Sequence, residues 1–252
     1  VTAPVFVLDD LGSVGPGSIV LLGGSEGRHA VASLRLGTGE AVDLVDGQGR
    51  RAAGVIESVE PDRSAKVRIA GVTDEPPATP RITVVQALPK GERGELAVEL
   101  LTEIGVDVIV PWSARNCVTQ WKGDRAQRGR RKWVDAAQAA AKQSRRARFP
   151  DVAEVCSTTE VVAHVRSADV ALLLHEEATD PIGSVMLPTA GEVVLIVGPE
   201  GGVAPDEVAE LEAAGARLVL VGPTVLRTSS AGMAAAAVLL ARTSRWDARM
   251  RP

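Results

Sequence analysis

The sequence predicts an α/β protein in two parts, a small β-barrel followed by a domain built on a mostly parallel sheet. Three observations carry this reading. Residues 1 to about 72 form short strand-like runs broken by Gly, Pro, Asp and Ser. Residues 73–80, TDEPPATP, place three prolines in a short polar run, which favours a stiff, extended connection. From Arg81 onward, β-branched apolar runs alternate with helical periodicity through residue 252, the pattern of parallel strands joined by helices. The expected division is therefore 1–72, a linker at 73–80, and 81–252. A chain of 252 residues holds two ordinary domains with real cores.

In the first part, strands are expected over 5–8, 18–22, 41–45, 52–58 and 65–70, with Asp46-Gly47 as a hairpin signal between two of them. One helix is expected over 27–34, carrying Arg28 and His29 on a turn and directing Leu34 and Leu36 to the core. Several short strands with one helix suggest a small barrel.

In the second part, residues 82–88 form a strand that ends at Pro89-Lys90-Gly91. An amphipathic helix follows over 92–104, with Leu96, Leu100 and Ile104 on one face and Gly105 as its cap. Strands are expected over 108–112, 152–155 and 170–174, with a helix over 159–165. Residues 193–197 have the length and branching of a buried strand and stop at Gly198-Pro199-Glu200-Gly201-Gly202. Repeated Gly and Pro force a turn there and let another molecule approach the backbone. Pro205 suits a first helical position, with Asp206 and Glu207 complementing the positive helix end. After Gly215, a strand over 217–221 runs into Gly222-Pro223 and then Leu226-Arg227-Thr228, followed by a small-residue helix over 231–241. Two strands ending in glycine turns make a ligand crevice at their carboxyl ends. No G-x-G-x-x-G opens a helix and no phosphate-loop G-K-[ST] occurs, so a dinucleotide or nucleotide-phosphate loop fits poorly.

Net charge is −4, so a nucleic-acid site has to be a local patch. The densest positive charge lies between Trp121 and Phe149. It includes Arg125, Arg128, Arg131, Arg145 and Arg146 and forms the leading candidate for an RNA backbone footprint. Trp121 and Trp133, interleaved with it, are either stacking surfaces for unpaired bases or core anchors, the latter being the commoner role. Cys117 and Cys156 form no CxxC pair, and the three histidines are scattered, so no metal site is expected. No signal peptide or membrane span is legible, and a soluble protein in the reduced cytoplasm is the expectation.

GPEGG followed about twenty residues later by LVGPTVLRTSSA resembles the paired cofactor loops of SPOUT-class methyltransferases, specifically the RsmE family. These are 16S ribosomal RNA (uracil-N3) methyltransferases that use S-adenosylmethionine. The resemblance covers nearly the whole chain and is strongest in the last sixty residues. GRHAVASLRLGTGEAVDLVDGQG resembles the signature of the family's PUA-like RNA-binding barrel, which makes Arg28, His29 and Arg35 candidate RNA contacts; solvation of a helix end is the alternative for Arg28. LPKGERGELAVELLTEIGVDVIVPWSARNCV resembles the segment around K-G-x-(K/R)-x-E and T-E-L-G-V. Lys90, Glu95, Glu103 and Arg115 stand at matching positions, and Arg115 joins the RNA candidates. WVDAAQAAAKQSRRARFPDV resembles the family helix ending in Q-S-x-R, with Gln138, Gln143, Ser144 and Arg146 as polar candidates.

The resemblance implies a deep C-terminal trefoil knot, a homodimer, and methylation of a uridine of the 30S subunit, at position 1498 in customary rRNA numbering. Its implied cofactor contacts are Leu174, His175, Glu176, Gly198, Glu200, Gly201, Gly202, Leu220, Val221, Gly222, Leu226 and Thr228, largely through backbone groups. Arg227 is the candidate for steadying negative charge on uracil. Glu200 is either a base or, more simply, a carboxylate that holds its loop through backbone N–H groups. The chain departs from the family in places. Ala114 stands where Glu is expected, and Asn116-Cys117 where Ser is usual. Ala204 replaces a capping Ser, and Ser229-Ser230 replaces Glu-Thr, so Ser229 cannot act as a base unaided. Two rivals remain: another SPOUT RNA methyltransferase, and a non-catalytic RNA-binding or ribosome-assembly factor.

Overall fold

The computed structural model describes residues 3–91 and 93–247. The described residues form two compact units, one of residues 3–77 with 141–149, the other of residues 78–91, 93–140 and 150–247. The sequence placed 141–149 with the second part, but these residues pack within the first.

The first unit is a five-stranded sheet of β1 (Val5–Val7), β2 (Ile19–Leu22), β3 (Ala41–Val45), β4 (Arg50–Val59) and β5 (Ala65–Asp74), in the order β1-β3-β4-β5-β2. Alternation is regular in β5, where Ala65, Val67 and Ile69 are buried and their neighbours exposed, as a sheet with one covered face requires. Strand β4 bulges beside Gly54, where a Cβ would lie 2.6 Å from Val67 Cγ1, so a side chain there would break the β4–β5 pairing. The helix expected over 27–34 is instead α1 (Gly24–Arg28) running into one wide turn, His29–Ser33. Gly27 presses on the Leu22 carbonyl and leaves no room for a Cβ, which sets where this segment turns. Leu34 consequently lies exposed, not in the core.

Residues 141–149 complete this unit. Gly49 N–H donates to Ala147 O at 3.0 Å and Phe149 N–H to Gly47 O at 2.8 Å. Ala147 and Phe149 pack against Val5 and Val45, and Lys142 Nζ meets Glu26 Oε1 at 2.7 Å.

The second unit is a six-stranded parallel sheet of β6 (Arg81–Ala87), β7 (Val108–Trp112), β8 (Asp151–Val152), β9 (Val170–Leu174), β10 (Glu192–Val197) and β11 (Arg217–Val219). Its order is β11-β9-β10-β6-β7-β8. Residues Val193 to Ile196 are fully buried, the signature of a strand covered on both faces. Strands β6 and β10 are parallel neighbours whose connections leave to opposite sides, β6 to β7 and β10 to β11, which makes that junction the switch point of the sheet. The helices are α2 (Arg93–Ile104), α3 (Asp124–Gln143), α4 (Thr158–Ser167), α5 (Pro205–Ala213) and α6 (Thr228–Leu240). Glu92, the expected first residue of α2, lies outside the described residues.

Four expectations are corrected here. The buried face of α2 is Gly94, Ala97, Val98 and Leu101; Leu96 is 44% exposed, because the small residues let α2 approach closely on the other stripe. Strand β8 stops at Val152 because Pro111 on β7 has no N–H to give the Ala153 carbonyl, although Ala153 N–H still donates to Ile109 O at 3.0 Å. Arg130 Nε takes the Val152 and Ala153 carbonyls instead, at 3.0 and 3.2 Å. Strand β11 stops at Val219 because the Leu220 backbone turns to pair with Asp180 and Ile182. Helix α6 begins at Thr228, earlier than expected, and packs Gly232, Ala235 and Ala236 onto α2, β10 and β6.

Past α6, Arg245 anchors the chain beneath the sheet. Its guanidinium grips Asp107 at 2.6 and 3.1 Å and also donates to the carbonyls of Pro80 and Gly105. The two side chains are only 10% and 12% exposed. Truncating Arg245 leaves the Asp107 carboxylate without its partner, so Arg245→Ala is expected to lower unfolding free energy by about 3 kcal/mol in urea titration.

Candidate functional site

Because β11, β9 and β10 are neighbours and parallel, the loops leaving their carboxyl ends meet on one side of the sheet. The loop after β9 starts with His175, whose N–H donates to Val219 O at 3.2 Å and whose Nδ1 accepts from Glu177 N–H at 3.2 Å. Leu174 and His175 are half-buried and Glu176 is exposed. The loops after β9 and β11 are tied directly: Leu220 N–H donates to Asp180 O at 2.8 Å, and Ile182 N–H donates to Leu220 O at 2.9 Å. The Leu220 N–H is thereby taken by the scaffold. From Val221 to Leu226, by contrast, no backbone group makes a hydrogen bond among the described residues. A Cβ on Gly222 would meet nothing, and the Val225 side chain is 82% exposed with Leu226 37%. That stretch offers open amide groups beside an apolar rim.

The loop after β10 is built on its glycines. A Cβ on Gly198 would lie 2.7 Å from Val203 Cγ2, and Gly202 sits at φ 73°, where only glycine is unstrained. Asn116 Nδ2 donates to Gly202 O at 3.1 Å and approaches Gly201 O at 3.4 Å. Glu200 reaches across the switch point, where its Oε1 accepts from Lys90 N–H at 3.2 Å and faces Arg93 Nη1 at 3.9 Å. Its carboxylate thus holds the β10 loop to the β6 loop.

Arg227 caps α6 with extended geometry, φ −67° and ψ 146°, and its carbonyl accepts from the N–H groups of Ser230 and Ala231. Its side chain is exposed and makes no ion pair or hydrogen bond among the described residues. Thr228 and Ser229 are buried, 7% and 6% exposed, and Thr228 O receives a long 3.4 Å bond from Gln86 Nε2. Gln86 is wholly buried with Oε1 unpartnered, a residue the sequence reading passed over. Its apolar strand context gave no signal of it.

Glu207 joins three elements. It is 4% exposed and accepts from Arg115 N–H at 3.1 Å, Thr158 Oγ1 at 2.6 Å and Ala204 N–H at 3.3 Å. The last bond offsets the missing hydroxyl at Ala204, since one half of the usual reciprocal cap survives. The Arg115 guanidinium is engaged with Asp206, at 2.7 Å for Nη1, so its charge is partly neutralised.

The expected RNA contacts fall into separate groups. Arg28, His29 and Arg35 are exposed on the first unit, with His29 edge-on to Phe6 at 6.0 Å and Arg35 at φ 56°. Arg145 and Arg146 belong to that unit as well; Arg145 O accepts from Arg51, and Arg146 Nε donates to Arg148 O at 2.9 Å. Arg125, Arg128 and Arg131 stand exposed on α3 in the second unit. Trp133 is 2% exposed and serves as a core anchor, whereas Trp121 is half-buried. Burial pushes the Cys117 thiol up to about 11, which keeps it protonated and inert. Among the described residues, no cluster of His, Cys, Asp and Glu is placed to hold a metal ion, and no helix is long and apolar enough to cross a membrane.

Residues 76–240 match the RNA methyltransferase domain family, and residues 22–70 match the RNA methyltransferase PUA domain family. The chain is 46% identical to the ribosomal RNA small subunit methyltransferase E of Mycobacterium tuberculosis (strain CDC 1551 / Oshkosh), over 98% of this chain and 94% of that protein. The Bacillus subtilis (strain 168) protein of the same name is 25% identical over 87% of this chain and 89% of its own length. A crystal structure of ribosomal RNA small subunit methyltransferase E from Neisseria gonorrhoeae, bound to S-adenosyl methionine, superposes with a TM-score of 0.85. It is 27% identical and covers 96% of this chain and 98% of that one.

Removing the Glu207 carboxylate would leave a buried hydroxyl and two buried N–H groups short of an acceptor. Glu207→Ala is expected to cost about 2 kcal/mol of stability by chemical denaturation, with Glu207→Gln retaining part of it.

Proposed function

The chain belongs to the RNA methyltransferase family that includes ribosomal RNA small subunit methyltransferase E, and on that premise we propose that it methylates N3 of a uridine in 16S ribosomal RNA, using S-adenosylmethionine. The observation that carries the reading is the meeting of three loops at the carboxyl ends of β9, β10 and β11, the last two turned on glycine, with an unpaired arginine beside them. The residues fit the cofactor. Open amide groups from Val221 to Leu226 suit the hydrogen-bonding edge of an adenine, and Val225 and Leu226 suit its apolar faces. Gly198, Gly201, Gly202 and Gly222, with His175 and Glu176 across the loop junction, complete the proposed site.

S-adenosylmethionine supplies an electrophilic methyl carbon on a sulfonium, so a C–S bond breaks as the C–N3 bond forms. The protein's own work is orientation and charge. Uracil N3 would lose its proton to solvent before or during attack, and the Arg227 guanidinium would stabilise the pyrimidine as it becomes anionic, which favours that loss. Glu200 acts by holding the loops together, since its carboxylate already accepts from Lys90 N–H. Buried Ser229 takes no part in proton transfer.

We assign the RNA contacts of residues 1–72 to Arg28, His29 and Arg35, and those of the second unit to Arg115, Arg125, Arg128 and Arg131, with Arg145 and Arg146 in the intervening segment. The trefoil knot is supported by the path of α6, which leaves the edge strand β11 and returns over β10 and β6 at the middle of the sheet. A homodimer belongs to the same proposal, as membership of the family implies. Two free cysteines agree with a reducing cytoplasm.

On 30S subunits lacking the modification, wild type is expected to transfer label from S-adenosylmethionine to one uridine N3. Arg227→Ala should lower the rate about 100-fold while keeping cofactor affinity. An active Arg227→Ala removes the assigned role, and cofactor binding without transfer from wild type points to a different RNA. Cofactor at a hundred times its dissociation constant should stabilise the fold by about 2.7 kcal/mol in thermal or urea unfolding.

A further inference from the structure

A cleft of about 630 Å³ opens beside the β6 and β7 loops, next to the three cofactor loops but not between them. That size lies within the range of pockets that enclose a small organic group. Pro89 and Gly91 line it, and Lys90 between them donates its N–H to Glu200 of the β10 loop at 3.2 Å, so the cleft adjoins the proposed donor site.

One wall is aromatic and built for the purpose. The Trp121 ring lies directly on Gly129 of α3, where a Cβ would sit 2.6 Å from Trp121 Cζ2. Trp121 is also edge-on to buried Trp133, at 5.0 Å between centroids and 69° between planes. Trp133 is in turn fitted against Gly94 of α2, where a Cβ would lie 2.8 Å from its Nε1. Two helical glycines therefore exist where two indoles need the space. The loop that carries Trp121 is fixed by Thr119 Oγ1 donating to Pro89 O at 2.7 Å and Gln120 Nε2 donating to Cys117 O at 3.0 Å. Val118 on this loop is 71% exposed, an apolar side chain with nothing to cover it.

The opposite side is cationic. Arg125, Arg128 and Lys132 line the cleft from α3 at spacings of three and four residues, so they share a helix face. All three are exposed, and their charged heads make no ion pair or hydrogen bond among the described residues. Like charges at this spacing destabilise a helix unless an anion lies between them. An aromatic plate, an exposed apolar side chain and a fork of free cations are the recognition elements of an unpaired nucleotide.

We propose that this cleft binds one unstacked nucleotide of the RNA substrate, its base against Trp121 and Val118 and its phosphates on Arg125, Arg128 and Lys132. The inference rests on RNA being the substrate. Glu95 on the cleft wall repels phosphate and accepts an N–H from the base, which orients the nucleotide.

The test is anisotropy of labelled single-stranded oligouridine on the full chain, without cofactor, at several salt concentrations. Trp121→Leu should weaken binding about tenfold. Arg128→Gln combined with Lys132→Gln should weaken it and flatten the log–log salt slope by about 1.4, for two lost phosphate contacts on a single strand. Gly129→Ala should weaken binding with the salt slope unchanged, since it crowds the indole without removing charge. Each variant must keep its circular dichroism and its S-adenosylmethionine affinity. Folded Trp121→Leu and Gly129→Ala proteins that bind oligouridine like wild type overturn the proposal, as does equal weakening towards duplex RNA. Trp121-dependent binding by a protein that transfers no methyl group would sustain the cleft and remove the methyltransferase reading instead. Methyl transfer by Trp121→Leu with an unchanged KM for RNA would do the reverse.

Discussion

The position of β10 between β9 and β6 is the constraint on which the rest depends. A parallel sheet sends all its strand ends to one side, and this order brings the loops of β9, β10 and β11 against those of β6 and β7. Two carboxylates then help fasten these loops. Glu200 ties the β10 loop to the β6 loop, and Glu207 ties the start of α5 to the β7 loop and to α4. Carboxylates whose oxygens are filled by backbone N–H groups position a loop without needing a side chain in the ligand's path. That leaves the glycine backbone and Arg227 as the groups that face the crevice.

Much of this was legible in the sequence, because buried parallel strands leave long β-branched runs and their turns need glycine and proline. Residues 193–197 and the GPEGG turn are found where the pattern predicts them. The failures have physical causes. The strand over 152–155 is cut short by Pro111 on the neighbouring strand, which has no N–H for the Ala153 carbonyl, a partner that no local window contains. Of the expected α2 face, Ile104 does pack against the core, but Leu96 is exposed because the buried stripe runs through Gly94, Ala97, Val98 and Leu101. Residues 141–149 fold with the first unit through pairing to Gly47 and Gly49, a contact nearly a hundred positions away in the chain.

In the candidate site, the sequence pointed to loops but could not say which backbone groups stay open. Leu220 is consumed by pairing with Asp180, while Val221 to Leu226 remain free. Nor could it separate the two tryptophans. Their fates differ because Gly94 lets Trp133 sink into the core, and Gly129 holds Trp121 at the edge of a cleft. The positive run between Trp121 and Phe149 was legible despite the net charge of −4, and the structure places Arg125, Arg128 and Lys132 of that run on one face of α3. Steering of an anionic substrate follows the local field more than the sum.

The division of labour along this sheet edge, cofactor at the β9, β10 and β11 loops and RNA at the β6 and β7 side, is most directly tested by amide hydrogen exchange with and without S-adenosylmethionine. The account predicts that added cofactor slows exchange at residues 174–176, 198–202 and 221–228, and leaves 118–121 and 125–132 unchanged. Protection confined to 118–132, with the glycine loops exchanging as before, would contradict it.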